Sequence, residues 1–195
     1  LSDGALIALR QCLIAIVRIA SLPSLVRLLK VVLLPKPDGG DRPIGLFASV
    51  IRVWAKFLFA QHVGPWQARN ARPYFFGEQG KTCEDAVWLH SALAEYAQYS
   101  GKSYAAALLD LTKAYEKVDH KVLAEAAVRY GFPLRVLKIA LMFYRMSRVV
   151  MVEGLATSPV CTAQTIVAGC SFATVLLRLM LLPILDSVAA NWPSV

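Results

Sequence analysis

The sequence predicts an α+β fold. Three observations point to it. Ala86, His90, Leu93, Ala94 and Ala97 recur at helical spacing. β-branched runs stand beside a glycine turn, as in "LVRLLKVVLLPKPDGGDRPIGLF". Helical and extended segments interleave without a regular β-α-β repeat. The chain has 195 residues, which suits one domain or one and a half and allows a substantial core.

The elements follow in order. Residues 5–19 read as a helix, apolar on most sides and therefore buried. "LVRLLKVVLLPK" becomes β-branched toward its end and finishes as a strand. Asp-Gly-Gly is a turn signal, so "RPIGLF" reads as the returning strand. Lys36 enters that turn and Arg42 leaves it. Residues 49–62 look helical, and "GPWQARNARPYFFGEQGK" reads as a loop-rich connection. Thr82 opens a helix to about Tyr99, with Asp85 placed for a capping box.

"GKSYAAALLD" reads as a fully buried strand ending at Asp110. A helix follows, capped by Asp119 and closed by Gly131. Another begins with Pro133 in its first turn. "RVVMVEG" and "SPVCTAQTIV" suggest a β-hairpin, "AGCS" a turn, and "FATVLLRLMLLPILDSVAA" a final buried helix. Trp54, Trp66 and Trp88 are expected in the core, and Tyr74, Phe75 and Phe76 in a packed loop.

Composition narrows the function. The net charge is +8, a surplus that favours polyanionic partners. Cys12, Cys83, Cys161 and Cys170 show no CxxC spacing, and the histidines stand apart from them. A zinc site or disulfide framework is not indicated; reduced, buried thiols and an intracellular location are expected. Arg10 and Arg18 interrupt the first apolar segment; Arg178, Pro183 and Asp186 interrupt the last. Both read as core helices rather than membrane spans, and a helical membrane-associated protein would rest on hydrophobicity alone. The first residue is Leu, so a fragment or processed product is expected.

Asp110 is either a cap on the following turn or a carboxylate held at a sheet edge for a hard cation such as Mg²⁺. Lys36 and Arg42 flank a turn, where both could reach over a bound anion, or they simply decorate a solvated hairpin. "VAGCSFATVLL" is a small-residue turn opening a long helix, where Gly169 and Ser171 permit close approach. His120 reads as a surface or cap residue.

The succession "LLPKPDGGDRPIGL", "LLDLTKAYEKVDH" and "VAGCSFATVLL" resembles the reverse transcriptase domain, nearest to the non-LTR retrotransposon branch. The likeness runs from about residue 30 to 185. It implies a right-hand polymerase fold, with fingers over 1–100 and a partial palm over 101–195. It implies RNA-directed DNA polymerisation with an RNA template, a DNA primer, deoxynucleoside triphosphates and two Mg²⁺ ions, in the nucleus or cytoplasm. By resemblance, Asp110 is the first catalytic carboxylate and a metal ligand, joined by the Leu111 carbonyl. Tyr115, with Ala114 beside it, matches the aromatic gate that excludes a 2′-hydroxyl. Lys36 and Arg42 match the residues that grip the triphosphate, and Gly169 matches a glycine supporting the nascent base pair.

The departures are specific. Ala168 stands where most members carry Gln, Glu116 where they carry Asp, and "SFAT" replaces a Leu-Ser-Pro run. No [FY]-x-D-D occurs in the chain, so a single carboxylate is expected to bind metal weakly and this chain not to polymerise alone. A decayed remnant or a non-enzymatic nucleic-acid-binding scaffold is the competing expectation.

Overall fold

The computed structural model describes residues 2–77, 80–106 and 110–191. Among the described residues, seven α-helices and four strands are mixed α and β, as the sequence predicts. The helices are α1 Asp3–Ile19, α2 Ser49–Leu58, α3 Gly64–Arg69, α4 Cys83–Tyr99, α5 His120–Arg129, α6 Leu134–Tyr144 and α7 Ala173–Asn191. The strands are β1 Leu28–Pro35, β2 Asp41–Leu46, β3 Ser147–Val152 and β4 Leu155–Ala156.

The sheet has the order β2-β1-β3-β4. β1 and β2 form the expected antiparallel hairpin, with Leu34 opposite Arg42 and Val31 opposite Gly45. Gly39 and Gly40 both take positive φ, and the turn is closed by the Lys36 N–H donating to the Gly40 carbonyl at 3.0 Å. Asp-Gly-Gly thus supplies the backbone freedom a tight return needs. On its other side β1 pairs in parallel with β3, Val31 beside Val150. That pairing joins segments more than a hundred residues apart, so no local pattern announces it.

Helix ends follow their capping residues. Thr82 and Asp85 form a reciprocal capping box, with the Thr82 N–H on Asp85 Oδ2 at 2.6 Å and the Asp85 N–H on Thr82 Oγ1 at 3.1 Å. Asp119 Oδ1 accepts from the Lys121 N–H at 2.6 Å. Gly131, at φ +62°, ends α5 in a Schellman turn, with the Phe132 N–H on the Ala127 carbonyl at 2.8 Å.

The core gathers on α6, whose Val136, Leu137, Ile139, Ala140, Phe143 and Tyr144 are all buried. The Phe143 ring meets Phe47 and Trp54, each at 6.0 Å between centroids. α5 packs against α7. Trp66 lies edge-on to Phe132 at 5.0 Å and donates its indole N–H to the Tyr130 carbonyl at 2.9 Å. A buried Trp whose polar edge is satisfied anchors both α3 and the end of α5.

Several expectations are corrected. The buried strand at 101–110 is not formed among its described residues: 102–106 are exposed and carry no strand, and 107–109 lie outside the described residues. The segment is drawn onto α4 instead. The Lys102 N–H donates to the Ala97 carbonyl, Lys102 Nζ sits over the Tyr96 ring, and the Tyr104 hydroxyl meets His90 Nδ1 at 3.0 Å. The return after β3 is β4, immediately beyond a turn in which Glu153 and Gly154 have positive φ; of the predicted 158–167 strand only an isolated bridge, Arg148 to Val160, remains.

The supposed loop after residue 63 begins with α3, carrying Pro65 in its first turn, and Pro133 caps α6 from outside. α1 contains no buried residue, so it covers the surface of the core rather than entering it. Trp88 is 76% exposed. Cys12, Cys83 and Cys161 are exposed free thiols.

α7 is long and apolar enough to cross a membrane by length and composition, but its buried face includes Arg178, 1% exposed. The guanidinium donates to the Asn70 carbonyl and stacks on the Phe75 and Trp66 rings at 4.8 and 5.8 Å. Further along, Asp186 accepts Arg72 Nε at 2.9 Å, Arg72 Nη2 at 3.2 Å and the Tyr130 hydroxyl at 3.1 Å, and bonds the Tyr74 hydroxyl as well. The charges that interrupt the apolar run are therefore the fasteners of the Tyr74–Phe76 loop, which is packed as expected.

These donors, the Arg72 guanidinium first, hold the Asp186 carboxyl down to about 2, while burial and the same carboxylate push the Tyr74 hydroxyl up to about 12. A depressed carboxyl stabilises the fold above its unfolded value of about 3.9 and loses that contribution as pH falls through its folded value. Asp186→Asn should lower stability by about 1–3 kcal/mol at neutral pH. The gap to wild type should narrow between about pH 4 and pH 2, read as urea midpoints across that range.

Candidate functional site

Three segments singled out by the sequence converge through main-chain bonds. In the hairpin, the Gly45 N–H donates to the Ala168 carbonyl at 2.8 Å. Two residues earlier in the same segment, the Ile166 N–H donates to the Tyr115 carbonyl at 2.8 Å and the Thr165 N–H to the Val118 carbonyl at 2.9 Å. The stretch 165–169 is thus a clasp, holding the hairpin on one side and the Tyr115–Val118 segment on the other.

Glycine makes the first contact possible. A Cβ at Gly169 would lie 2.6 Å from the Gly45 carbonyl oxygen, and its φ is +97°. A Cβ at Gly45 would meet Val167 Cγ1 at 2.4 Å and the Ala168 carbonyl oxygen at 3.3 Å. Two backbones approach closer than any side chain allows. Gly45 was not singled out by sequence reasoning, although a lone glycine inside a strand pattern is the signal for such an approach.

The second contact is fastened by His120. It is not a surface residue: it is 5% exposed, at the start of α5, with its ring 6.2 Å from that of Tyr144. Nε2 lies 2.8 Å from the Thr165 carbonyl oxygen. A carbonyl only accepts, so the proton is on Nε2. The bond holds Thr165 at φ +105°, a conformation a β-branched residue adopts only when its surroundings impose it.

The predicted site residues occupy this unit unequally. Lys36 and Arg42 are exposed at the hairpin, and their side chains have no partner among the described residues. Asp110 is exposed and Leu111 is 50% exposed, just before a hydrogen-bonded turn over 112–117. Ala114 and Tyr115 are half-buried, and Tyr115 packs against the core. Burial pushes the Tyr144 hydroxyl well up, with Cys170 and Tyr115 adding to the effect. Gly169 borders a crevice of only about 10 Å³, lined also by Phe47, Arg52 and Ser171. That space takes a water at most, so a nucleotide would have to lie on the open surface.

The described residues contain no group of three or more His, Cys, Asp or Glu able to hold an ion. Asp110 with the Leu111 carbonyl is an incomplete ligand set, and a two-metal centre does not fit the described residues by themselves.

Against solved structures the chain is similar to apo telomerase from Candida tropicalis, truncated from its C-terminal domain: the TM-score is 0.52 at 12% identity, over 90% of this chain and 43% of that one. The chain therefore shares its fold with part of that structure and spans less than half its length. No family model matches the sequence, and no curated protein is a detectable sequence relative.

Gly169→Ala should cost about 2–4 kcal/mol by forcing the two backbones apart. Chemical denaturation reads the loss. Ser171→Ala, two residues away and without a comparable contact, should change stability by less than about 0.5 kcal/mol.

Proposed function

We propose that the chain is a fragment of an RNA-directed DNA polymerase domain of the non-LTR retrotransposon type, with fingers over 1–100 and the first part of the palm over 101–195. The observation that carries this reading is the clasp. The three segments with family-like motifs lie far apart in sequence and are tied together by the Gly45–Ala168 and Ile166–Tyr115 bonds. The telomerase likeness supports it at the level of fold.

In this reading Lys36 and Arg42 contact the triphosphate of an incoming deoxynucleotide. Lys acts as a point charge and Arg as a bidentate fork. The Tyr115 ring closes the space below the sugar, with Ala114 keeping its flank small. Gly169 supports the nascent base pair indirectly, by letting its backbone pack on Gly45 and so fixing the hairpin. Asp110 and the Leu111 carbonyl would be this chain's share of a Mg²⁺ site, where a bound cation would neutralise charge at transferred phosphates. With that ligand set incomplete, the function assigned to the chain itself is binding of template, primer and nucleotide, inside the cell, and not turnover.

A second reading, a nucleic-acid-binding scaffold without catalysis, is favoured by one observation: Asp110 is solvent-exposed, with no cluster of further metal-binding side chains among the described residues. The two readings differ over nucleotides. The polymerase reading predicts that RNA–DNA template–primer binding weakens steeply with salt and that deoxynucleoside triphosphate binds as well. The double variant Lys36→Ala/Arg42→Ala should lower triphosphate affinity about tenfold. Tyr115→Ala should erase the preference for deoxy- over ribonucleotide. Fluorescence anisotropy measures all three. RNA binding with no triphosphate binding would leave the scaffold; salt-insensitive or absent RNA binding would reject both.

A further inference from the structure

The opposite side of the core carries a feature that the polymerase reading does not use. α1 has no buried residue of its own and shares the lining of two hollows with α2 and α6. Beside its C-terminal half is a cavity of about 520 Å³ lined by Val17 of α1 and by Leu58, Val136 and Ile139. At its rim stand Arg18, His62 and Arg135. A second hollow of about 410 Å³ shares Ile14 and Val17 with the first. It runs back along α1 past Leu13 and Phe57 to Leu6, with Arg10 beside it. Phe57 is 61% exposed and Leu6 48%.

Three physical facts bear on what fits there. First, no Asp or Glu lines either hollow, and Arg10, Arg18 and Arg135 have no hydrogen-bond or ion-pair partner among the described residues. An apolar floor rimmed by uncompensated cations complements an apolar body bearing negative charge. Second, the groove follows α1 from Leu6 to Arg18, about 18 Å at the rise of a helix. That is the length of a helix of about three turns, whose anchors at i, i+3, i+4 and i+7 lie along one face. Third, His62 sits in a π-helical turn, Phe59–Val63, that joins α2 to α3. Such turns re-aim side chains and recur at functional sites.

We propose that this groove is a docking site for an acidic amphipathic helix of another protein, its aliphatic side chains in the two hollows and its carboxylates on Arg18, Arg135 and Arg10. A bilayer is planar and does not fill a concave hollow. A nucleic acid strand would find one exposed phenyl ring to stack on, Phe57, since Trp54 is buried and, His62 aside, the rest of the lining is aliphatic or cationic.

The test uses the full chain and a labelled helix-forming peptide of about fourteen residues, with Leu at i, i+3 and i+7 and Glu flanking them. A counterpart with Lys in place of Glu, a single-stranded RNA of twelve nucleotides and vesicles containing phosphatidylglycerol serve as rivals. The acidic peptide should bind and shift the Ile14, Val17 and Ile139 methyl resonances. The Lys peptide should bind at least about tenfold more weakly. Arg18→Glu/Arg135→Glu, both at exposed positions, should weaken the acidic peptide by a similar factor with an unchanged circular dichroism spectrum. Lys36→Ala/Arg42→Ala should leave it unaffected, so failure here is distinct from failure at the hairpin. Equal binding of both peptides, no binding of the acidic one, no effect of the charge reversal, or displacement of the peptide by the RNA or the vesicles would overturn the proposal.

Discussion

Two stretches of backbone meet where Gly45 faces Gly169, and much of the molecule's organisation follows from that approach. The Gly45 N–H reaches the Ala168 carbonyl at 2.8 Å, while a Cβ on Gly169 would stand 2.6 Å from the Gly45 carbonyl oxygen. Bonds of this kind need no particular side chain, only its absence. At Ala168 the position contributes its carbonyl to this contact. From this point the clasp extends to Tyr115 and Val118, and His120 holds its strained residue, Thr165, in place. The hairpin cations and the half-buried Tyr115 are thereby fixed relative to one another by main-chain geometry.

Charge serves two purposes on the other faces. Within α7, Arg178 and Asp186 are matched to aromatic rings, a carbonyl, Arg72 and two tyrosine hydroxyls, so burial is compensated. Along α1 and α6, Arg10, Arg18 and Arg135 are left unmatched above an apolar floor. The first arrangement fixes the loop at Tyr74–Phe76 to the core. The second leaves attraction directed outward, consistent with a net charge of +8.

What was legible in the sequence was local. The Asp-Gly-Gly hairpin, the Thr82–Asp85 box, the Asp119 cap and the Gly131 stop each depend on neighbouring residues, and each formed. What was illegible depended on distant partners. "SYAA" reads as a strand by its apolar run, but Tyr104 and Lys102 find partners on α4, and the parallel place beside β1 goes to β3. α1 reads as buried because it is apolar; its burial depends on a cover that the chain's described residues do not supply. Motif order names Lys36, Arg42, Tyr115 and Gly169 as expected nucleotide contacts, and the segments that carry them are joined by main-chain bonds. The structural roles of Gly45 and His120 could not be named in that way, since both depend on residues 165–169.

The account stands on the clasp being one cooperative unit. Native-state hydrogen exchange of the Gly45, Thr165 and Ile166 amides tests it directly, since these three N–H groups make the bonds that join the segments. Under increasing denaturant below the unfolding transition, their opening free energies should merge into a single isotherm. Exchange of the Gly45 amide through a separate, lower-energy opening, with Thr165 and Ile166 still protected, would contradict the claim that the hairpin belongs to the same site.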